Sequence, residues 1–241
     1  LFSGLMPGEL QKKYPQYWVH DHQEDGKNQF EEPLLEAHLN RFGEETKFTY
    51  HKITQLQAGK KLQHQIHNLF QHSLNVIVYN FVDMISHART EMEVIRELAV
   101  DESAYRSLTK SWFVHSPLLE IIKSIAQKPS RIMITTDHGT MRVKNPIRVT
   151  ADRQASTNLR YKLGKTMDYK LREVVECKNP GAWFLPQPFS GSRFIFARES
   201  DYFVYPNQFN QYAQHFKDTF QHGGISLEEM LIPYAVFKSK S

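Results

Sequence analysis

Two segments of the chain have the apolar pattern of buried strands. Residues 74–82 (LNVIVYNFV) and residues 131–136 (RIMITT) are rich in β-branched, aromatic and other apolar side chains. Runs of this kind are typical of strands that are buried on both faces of a parallel sheet. We therefore predict two buried, parallel strands at the centre of the fold.

Helical periodicity and further strand patterns flank these two segments. Helices are predicted at residues 30–42, 90–98, 117–127 and 207–220, with a helix or an ordered loop at 56–70. Further strands are predicted at residues 47–53, 193–197, 201–205 and 232–237, of which 193–197 and 201–205 form a hairpin. Ser226 and Glu229 have the spacing of a capping box on a short helical turn. This alternation predicts an α/β fold with a mostly parallel central sheet flanked by helices.

Length and composition describe an ordinary globular chain. Its 241 residues are 40% hydrophobic and contain no linker-like tract, so we expect one structural unit. The mean hydropathy is −0.54, and no apolar run approaches the ~18 residues of a membrane helix. The single cysteine, Cys177, and the absence of a signal-peptide pattern indicate a cytoplasmic protein that is not embedded in a membrane.

The distribution of charge is more informative than its sum. A net charge of +4 permits an anionic partner without requiring one. The segment between Arg142 and Arg172 is basic, and only Asp152 and Asp168 oppose its cations. Those cations are Arg142, Lys144, Arg148, Arg153, Arg160, Lys162, Lys165, Lys170 and Arg172. The segment is either a solvated face or an electropositive surface for phosphate or nucleic acid, and sequence alone does not choose.

Each of the two predicted central strands runs into an aspartate. Asp83 is followed at helical i, i+4 spacing by His87, and Asp137 is followed directly by His138 and Gly139. Ligands bind outside the carboxyl ends of strands in open α/β sheets, which is where these side chains are expected. Alone, the first pair is typical of a surface or capping pair and the second of a turn.

A third candidate is His222, which precedes two glycines and the capped turn at Ser226. A lone His-Gly-Gly is most often a loop. Carboxylate and imidazole ligands together suit Zn²⁺ and, in mixed oxygen and nitrogen sites, Mn²⁺. The joint placement of the three motifs therefore predicts a two-metal site.

Six segments of the chain have distinctive sequences: TTDHG at 135–139, HGGISLEEMLIPYAVF at 222–237, VYNFVDMISHAR at 78–89, SPLLEII at 116–122, LFSGLMP at 1–7 and NLRYKLGK at 158–165. They resemble the PglZ domain of the alkaline phosphatase superfamily. The resemblance extends over nearly the whole chain. Within the superfamily, the chain is most similar to the C-terminal output domain of PorX-type response regulators, which belong to Bacteroidetes with type IX secretion.

The resemblance implies two metal ions, usually zinc. It assigns Asp83, His87 and His222 to one ion, and Asp137 and His138 to the other. The resemblance places a further metal-binding aspartate and a Ser or Thr nucleophile upstream of Leu1, and we expect this nucleophile to be Thr. The receiver domain and the first sheet strand are expected upstream as well. Residues 1–241 are then the C-terminal portion of an alkaline-phosphatase-like domain, and this portion by itself would lack the nucleophile.

The implied activity is two-metal hydrolysis of a phosphoester by a phosphatase or phosphodiesterase. Basic side chains would bind the substrate, an oligonucleotide among the candidates, and we name Arg153, Arg160, Lys162 and Lys165 for this role. The resemblance also implies the output domain of a homodimeric two-component response regulator that controls type IX secretion. A cognate histidine kinase would act on its receiver domain.

Two other classes of function remain open at this point. The domain is alternatively a non-catalytic regulatory module that dimerises and binds a sigma factor or a secretion-motor protein. A nucleic-acid-binding protein without catalysis is the weakest reading, because the sequence contains no helix-turn-helix, zinc-finger or RNA-recognition motif.

Overall fold

Chain segments that are distant in sequence combine into two units. The computed structural model describes residues 1–19, 28–152 and 155–239. The first unit comprises Leu1–Glu44 and Asp137–Ile232, and the second comprises Glu45–Thr136 and Pro233–Ser241. Among the described residues, no helix is both long enough and apolar enough to cross a membrane.

Helices are distributed over both units. In chain order they are α1 (Pro7–Lys13), α2 (Glu31–Arg41), α3 (Leu56–His64), α4 (Phe81–Glu91), α5 (Glu93–Leu98), α6 (Glu102–His115), α7 (Pro117–Ala126), α8 (Phe209–Phe216) and α9 (Leu227–Met230). Short 3₁₀ helices span Pro15–Tyr17, Ile66–Gln71, Leu171–Glu173 and Pro180–Trp183. The predicted helices at 30–42 and 117–127 are confirmed as α2 and α7, and the predicted capping box between Ser226 and Glu229 opens α9.

Strands are short and pair in small sheets. They are β1 (Phe48–Ile53), β2 (Leu74–Tyr79), β3 (Arg131–Thr135), β4 (Met141–Arg142), β5 (Asn145–Arg148), β6 (Thr150–Ala151), β7 (Tyr161–Gly164), β8 (Met167–Asp168), β9 (Val174–Cys177), β10 (Arg193–Ala197), β11 (Asp201–Val204), β12 (Phe220–Gln221) and β13 (Tyr234–Lys238). Over the ranges that the structure describes, β1–β2 and β5–β11 are parallel, and the other pairings are antiparallel. The predicted mostly parallel central sheet is therefore not confirmed.

The second unit is built on the parallel pair β1–β2. Phe48 is opposite Leu74 and Ile53 is opposite Tyr79, so the two strands are in register over their full length. Helices α3 and α7 pack beside this pair. Its buried core consists of Ile53, Leu62, Leu69 and Ile121. The prediction that residues 74–82 are buried on both faces is wrong, because every residue of β2 is only half-buried.

The second predicted central strand is also different from expectation. Strand β3 pairs antiparallel with β13, and four of its five residues are exposed. Met133 on β3 is 57% exposed, and Tyr234 and Phe237 on β13 are 67% and 53% exposed. The apolar composition of residues 131–136 suggested burial on both faces, but the described structure leaves this two-stranded sheet largely open to solvent.

The first unit has its core around the antiparallel sheet β7–β10–β9. Val149, Val174, Ile195, Ala197 and Phe203 form one buried cluster of this core. The predicted strands at 193–197 and 201–205 are confirmed as β10 and β11. Their prediction as a hairpin is wrong, because β10 pairs with β7 and β9, whereas β11 pairs in parallel with β5.

Candidate metal centre

Helix α4 of the second unit carries Asp83 and His87. The helix begins at Phe81, two residues after β2 ends, and contains both positions at i, i+4 spacing. Arg89 fixes the end of the helix, since its buried guanidinium donates hydrogen bonds to the carbonyl oxygens of Ala99 (2.5 Å) and Val100 (3.2 Å). Asp83 is half-buried in the first helical turn, where the helix dipole favours a carboxylate.

The Asp-His-Gly turn belongs to the first unit. The carboxylate of Asp137 accepts the backbone N–H of His138 at 3.1 Å, and its Oδ1 lies 3.8 Å from Nε2 of the same histidine. Nδ1 of His138 lies 3.0 Å from the carbonyl oxygen of Gly139. Because a carbonyl oxygen only accepts hydrogen bonds, the neutral ring carries its proton on Nδ1. Nε2 then keeps the lone pair that a metal ion would bind.

His222 lies against His138. The two imidazole rings are stacked with centroids 4.0 Å apart and planes at 14°. A ring nitrogen of one lies within 4.8 Å of a ring nitrogen of the other. Two of the histidines that the sequence singled out, although 84 positions apart along the chain, are thus neighbours in one unit.

The segment that carries His222 is held by polar contacts at both ends. Nδ2 of Asn158 donates to the carbonyl oxygen of His222 at 3.1 Å. Gly223 follows with φ of +101°, a conformation in which a side chain would be strained and would also press on Asn158. The backbone N–H of Gly224 then donates to Oε1 of Glu229 at 2.8 Å. The two glycines therefore let the chain turn tightly behind the histidine.

Glu229 forms a buried ion pair with Arg160. The guanidinium donates from Nε to Oε1 (3.0 Å) and from Nη2 to Oε2 (2.8 Å), and both side chains are almost fully shielded from water. Burial by itself would raise the pKa of the Glu229 carboxyl, but the hydrogen bonds and charge of Arg160 and the bonds from Ser226 and Gly224 outweigh it. The net result is a lowered pKa, so the carboxylate stays ionised.

Gly139 connects the Asp-His-Gly turn to the same region. Its backbone N–H donates to the carbonyl oxygen of Glu229 at 2.9 Å. A Cβ at position 139 would collide with the carbonyl oxygen of Glu228. Glycine is therefore required here by the close approach of two backbones.

The residues present in the first unit fit a metal ion. Carboxylate oxygen and imidazole nitrogen are the donors that zinc and manganese take. The carbonyl oxygen of Gly139 sets the tautomer of the neutral His138 ring, and histidines that bind metals usually have such a partner on their other ring nitrogen. The assignment of Asp83, His87, Asp137, His138 and His222 as ligands remains a prediction.

The substrate-binding candidates do not share one environment. Arg160 is 0% exposed. Its guanidinium donates to the Glu229 carboxylate and to the carbonyl oxygen of Asp201, so these donors are already used inside the fold. Lys162 is 2% exposed; its Nζ donates to the carbonyl oxygen of Ser156 at 3.0 Å and lies over the ring of Tyr205. Lys165 is exposed beside a cavity of about 410 Å³, and Arg153 lies outside the described residues.

Several other cations of the basic segment are paired. Arg142 forms an ion pair with Asp218 at 3.1 Å, and Lys170 one with Glu173 at 3.4 Å. The guanidinium of Arg148 lies over the ring of Phe209, 4.7 Å from its centroid. Within 142–172, Arg142 and Lys170 are therefore balanced by carboxylates and Arg160 and Lys162 are buried, which leaves less of the positive charge for an anionic partner.

Sequence reasoning assigned Arg160 to substrate, treated Glu229 only as a cap, and overlooked Asn158. The Arg160–Glu229 pair joins positions that are 69 residues apart, and no local sequence pattern predicts an ion-pair partner at that distance. The signal that was available is the NLRYKLGK segment itself, since it carries Asn158 and Arg160 within a stretch already singled out for its resemblance to the PglZ domain.

Comparison with known proteins agrees with that resemblance. Residues 1–237 match the family described as the BREX system PglZ alkaline phosphatase-like domain. A search of curated proteins found no match to the chain.

Burial of Lys162 predicts a pH-dependent stability. Burial lowers its pKa from 10.5 to about 8, so from pH 8 to 10.5 the Lys162 amine binds more protons in the unfolded chain than in the folded chain. The contribution of Lys162 to the free energy of unfolding should therefore rise with pH in this window, by ~2 kcal/mol between pH 7 and 9.5. Urea denaturation at several pH values measures it.

Lys162→Met should remove this rise, whereas the exposed Lys165→Met should keep it. The difference between wild type and each variant is compared, because burial also raises the pKa of the Cys177 thiol and of Tyr202, which act in the opposite direction. An unchanged pH slope in Lys162→Met would contradict the assignment.

Proposed function

Because the chain belongs to the PglZ family of alkaline phosphatase-like domains, we propose that it is the two-zinc phosphodiesterase or phosphatase domain of a response regulator. The family indicates a phosphoesterase, and its fold is typically metal-dependent. Beyond what the family indicates, we propose zinc as the metal, a diester as the substrate and a role in a response regulator. The observation that carries it is the stacked pair His138 and His222 beside the Asp137 carboxylate.

The proposed ligand sets follow the sequence motifs. Asp137 and His138 hold one ion, and His222 joins Asp83 and His87 at the other. When bound, the two ions supply charge that stabilises the phosphoryl oxygens and the leaving oxygen. The chain's own contribution is to direct Nδ1 of His138 at the Gly139 carbonyl, which leaves the lone pair of the neutral ring on Nε2, and to hold the two imidazoles side by side.

For substrate binding, the exposed cations are better candidates than the buried ones. Lys165, Lys144 and Arg148 are exposed, and they support contact with a phosphate backbone such as that of an oligonucleotide. Arg153 stays a candidate from the sequence. Arg160 and Lys162 are withdrawn from this role in the proposal, because their polar groups are buried and already bonded.

The regulatory part of the proposal depends on the resemblance of the chain as a whole to PorX-type output domains. That resemblance supports a cytoplasmic, homodimeric response regulator that controls type IX secretion and receives phosphate from a histidine kinase. A sigma factor or a secretion-motor protein is then the proposed protein partner. Binding of such a partner and hydrolysis of a phosphoester are compatible activities of one protein.

Metal content is the direct test of the ligand sets. We expect about two zinc ions per chain in the full-length protein by elemental analysis after dialysis. His222→Ala and Asp137→Ala should each lose one ion or weaken its binding by at least 10-fold, because each removes a proposed ligand. His67→Ala, which alters an exposed histidine, should keep both ions. No bound metal in the wild type would refute the proposal.

Hydrolysis of chromogenic phosphoesters tests the activity. The zinc-loaded, full-length protein should cleave bis-p-nitrophenyl phosphate faster than the monoester, and Asp137→Asn should reduce kcat by at least ~100-fold through loss of a metal ligand. Equal rates in Asp137→Asn and wild type would assign the cleavage to a contaminant. His67→Ala again serves as the matched control.

The non-catalytic alternative makes a different prediction. If the domain acts by binding a protein partner, Asp137→Ala should bind the sigma factor or motor protein with the wild-type Kd in a titration by calorimetry. Loss of that binding on metal removal would instead tie the partner surface to the metal centre. The dimerisation of wild type and Asp137→Ala is measured in parallel, so that a change of oligomeric state is not mistaken for a change in partner binding.

A further inference from the structure

One residue, Glu229, is bonded to both histidine-bearing segments of the first unit, through its carboxylate and through its backbone carbonyl. The Glu229 carboxylate accepts the backbone N–H groups of Gly224 (2.8 Å) and Ser226 (3.2 Å), which follow His222. The carbonyl oxygen of the same residue accepts the N–H of Gly139, which follows His138. Glu229 therefore fixes the chain directly behind each imidazole.

Arg160 and its neighbour Asn158 hold the same assembly from the other side. The guanidinium binds both oxygens of the Glu229 carboxylate, so the carboxylate cannot rotate without breaking a bond. Oδ1 of Asn158 accepts the N–H of Arg160 at 2.7 Å, while its Nδ2 binds the His222 carbonyl at 3.1 Å. The segment 158–160 therefore binds residues 222–229 at two points, through Asn158 at His222 and through Arg160 at Glu229.

We propose that Arg160 and Glu229 are positioning residues that set the separation and stacking of His138 and His222. The pair acts through the backbones of Gly139 and of residues 222–226, to which Glu229 is bonded. The proposal deepens the proposed metal-binding function and rests on it for its purpose, although the geometry is testable without metal.

The energetics of burial explain why this arrangement is rigid. A buried carboxylate that loses its partner leaves an uncompensated charge, so the loop cannot move away from Arg160 at low cost. The bidentate fork adds directional restraint that a single lysine contact would not give. Outer-sphere residues that orient histidine ligands typically change metal affinity 10- to 100-fold when they are replaced.

The first experiment uses metal-free protein. With histidine rings isotopically labelled, we expect a nuclear Overhauser effect between the rings of His138 and His222, whose centroids are 4.0 Å apart. Glu229→Gln, which keeps the size of the side chain and removes its charge, should weaken or abolish the effect, and Arg160→Lys should retain part of it. Val174→Ala, a core truncation in β9 that destabilises the same unit, should keep it.

Either of two results would overturn the proposal. One is a ring-to-ring effect that persists at full strength in folded Glu229→Gln and Arg160→Met. The other is an effect that is lost equally in Val174→Ala, which would make the stacking a mere consequence of overall stability. If Glu229→Gln does not fold, Arg160→Lys decides, with circular dichroism as the folding check: a weakened ring-to-ring effect supports the proposal, and an effect at full strength overturns it.

The second experiment measures zinc affinity by competition with a chelating dye. Glu229→Gln and Arg160→Met should bind zinc 10- to 100-fold more weakly than wild type, and Val174→Ala should match wild type. Equal affinity in all of them would overturn the proposal. A wild type that binds no zinc would refute the proposed function alone, since the ring-to-ring effect in metal-free protein still tests the positioning.

Discussion

A carboxylate and a guanidinium buried from water hold together the part of the molecule in which its chemistry is concentrated. Taking both charges out of water is costly, and only a well-aligned, fully bonded pair offsets that cost. Glu229 and Arg160 satisfy this condition through their two parallel hydrogen bonds. The bonds that remain on the carboxylate are used for backbone groups of the His222 loop. The stability of the unit and the geometry of the histidines therefore depend on the same atoms.

Around this pair, the local sequence supplies flexibility only where the backbone needs it. Gly139 admits the carbonyl of Glu228, and Gly223 takes a left-handed conformation that turns the chain after His222. The proton on Nδ1 of His138 is directed at a backbone carbonyl, which leaves Nε2 on the side of the Asp137 carboxylate. A metal-binding family and this donor arrangement are consistent with each other.

The sequence predicted features that depend on neighbours along the chain. The helical periodicity of α2, the proline-initiated α7 and the Ser226–Glu229 capping box are local, and they are found where expected. Strand pairing is not local: β10 and β11 follow one another but pair with different strands, so the expected hairpin is absent from the described structure. In the same way, composition suggested that Arg160 faces a polyanion, whereas its partner lies 69 residues away. Motif spacing identified His138 and His222 as candidates, but it did not predict the contacts of Arg160 and Glu229 that hold the two segments together.

The open sheet of β3 and β13 has a consequence for handling the protein. The exposed side chains of Met133, Tyr234 and Phe237 lie on these two strands, and no third strand pairs with either of them among the described residues. Edges of this kind recruit further strands from other chains, and natural proteins usually protect them with charges, prolines or cover. Concentrated solutions of the protein should therefore form intermolecular β-structure through β3 and β13 before the two units unfold. Turbidity during heating would then report on this sheet and not on the unit that carries His138 and His222.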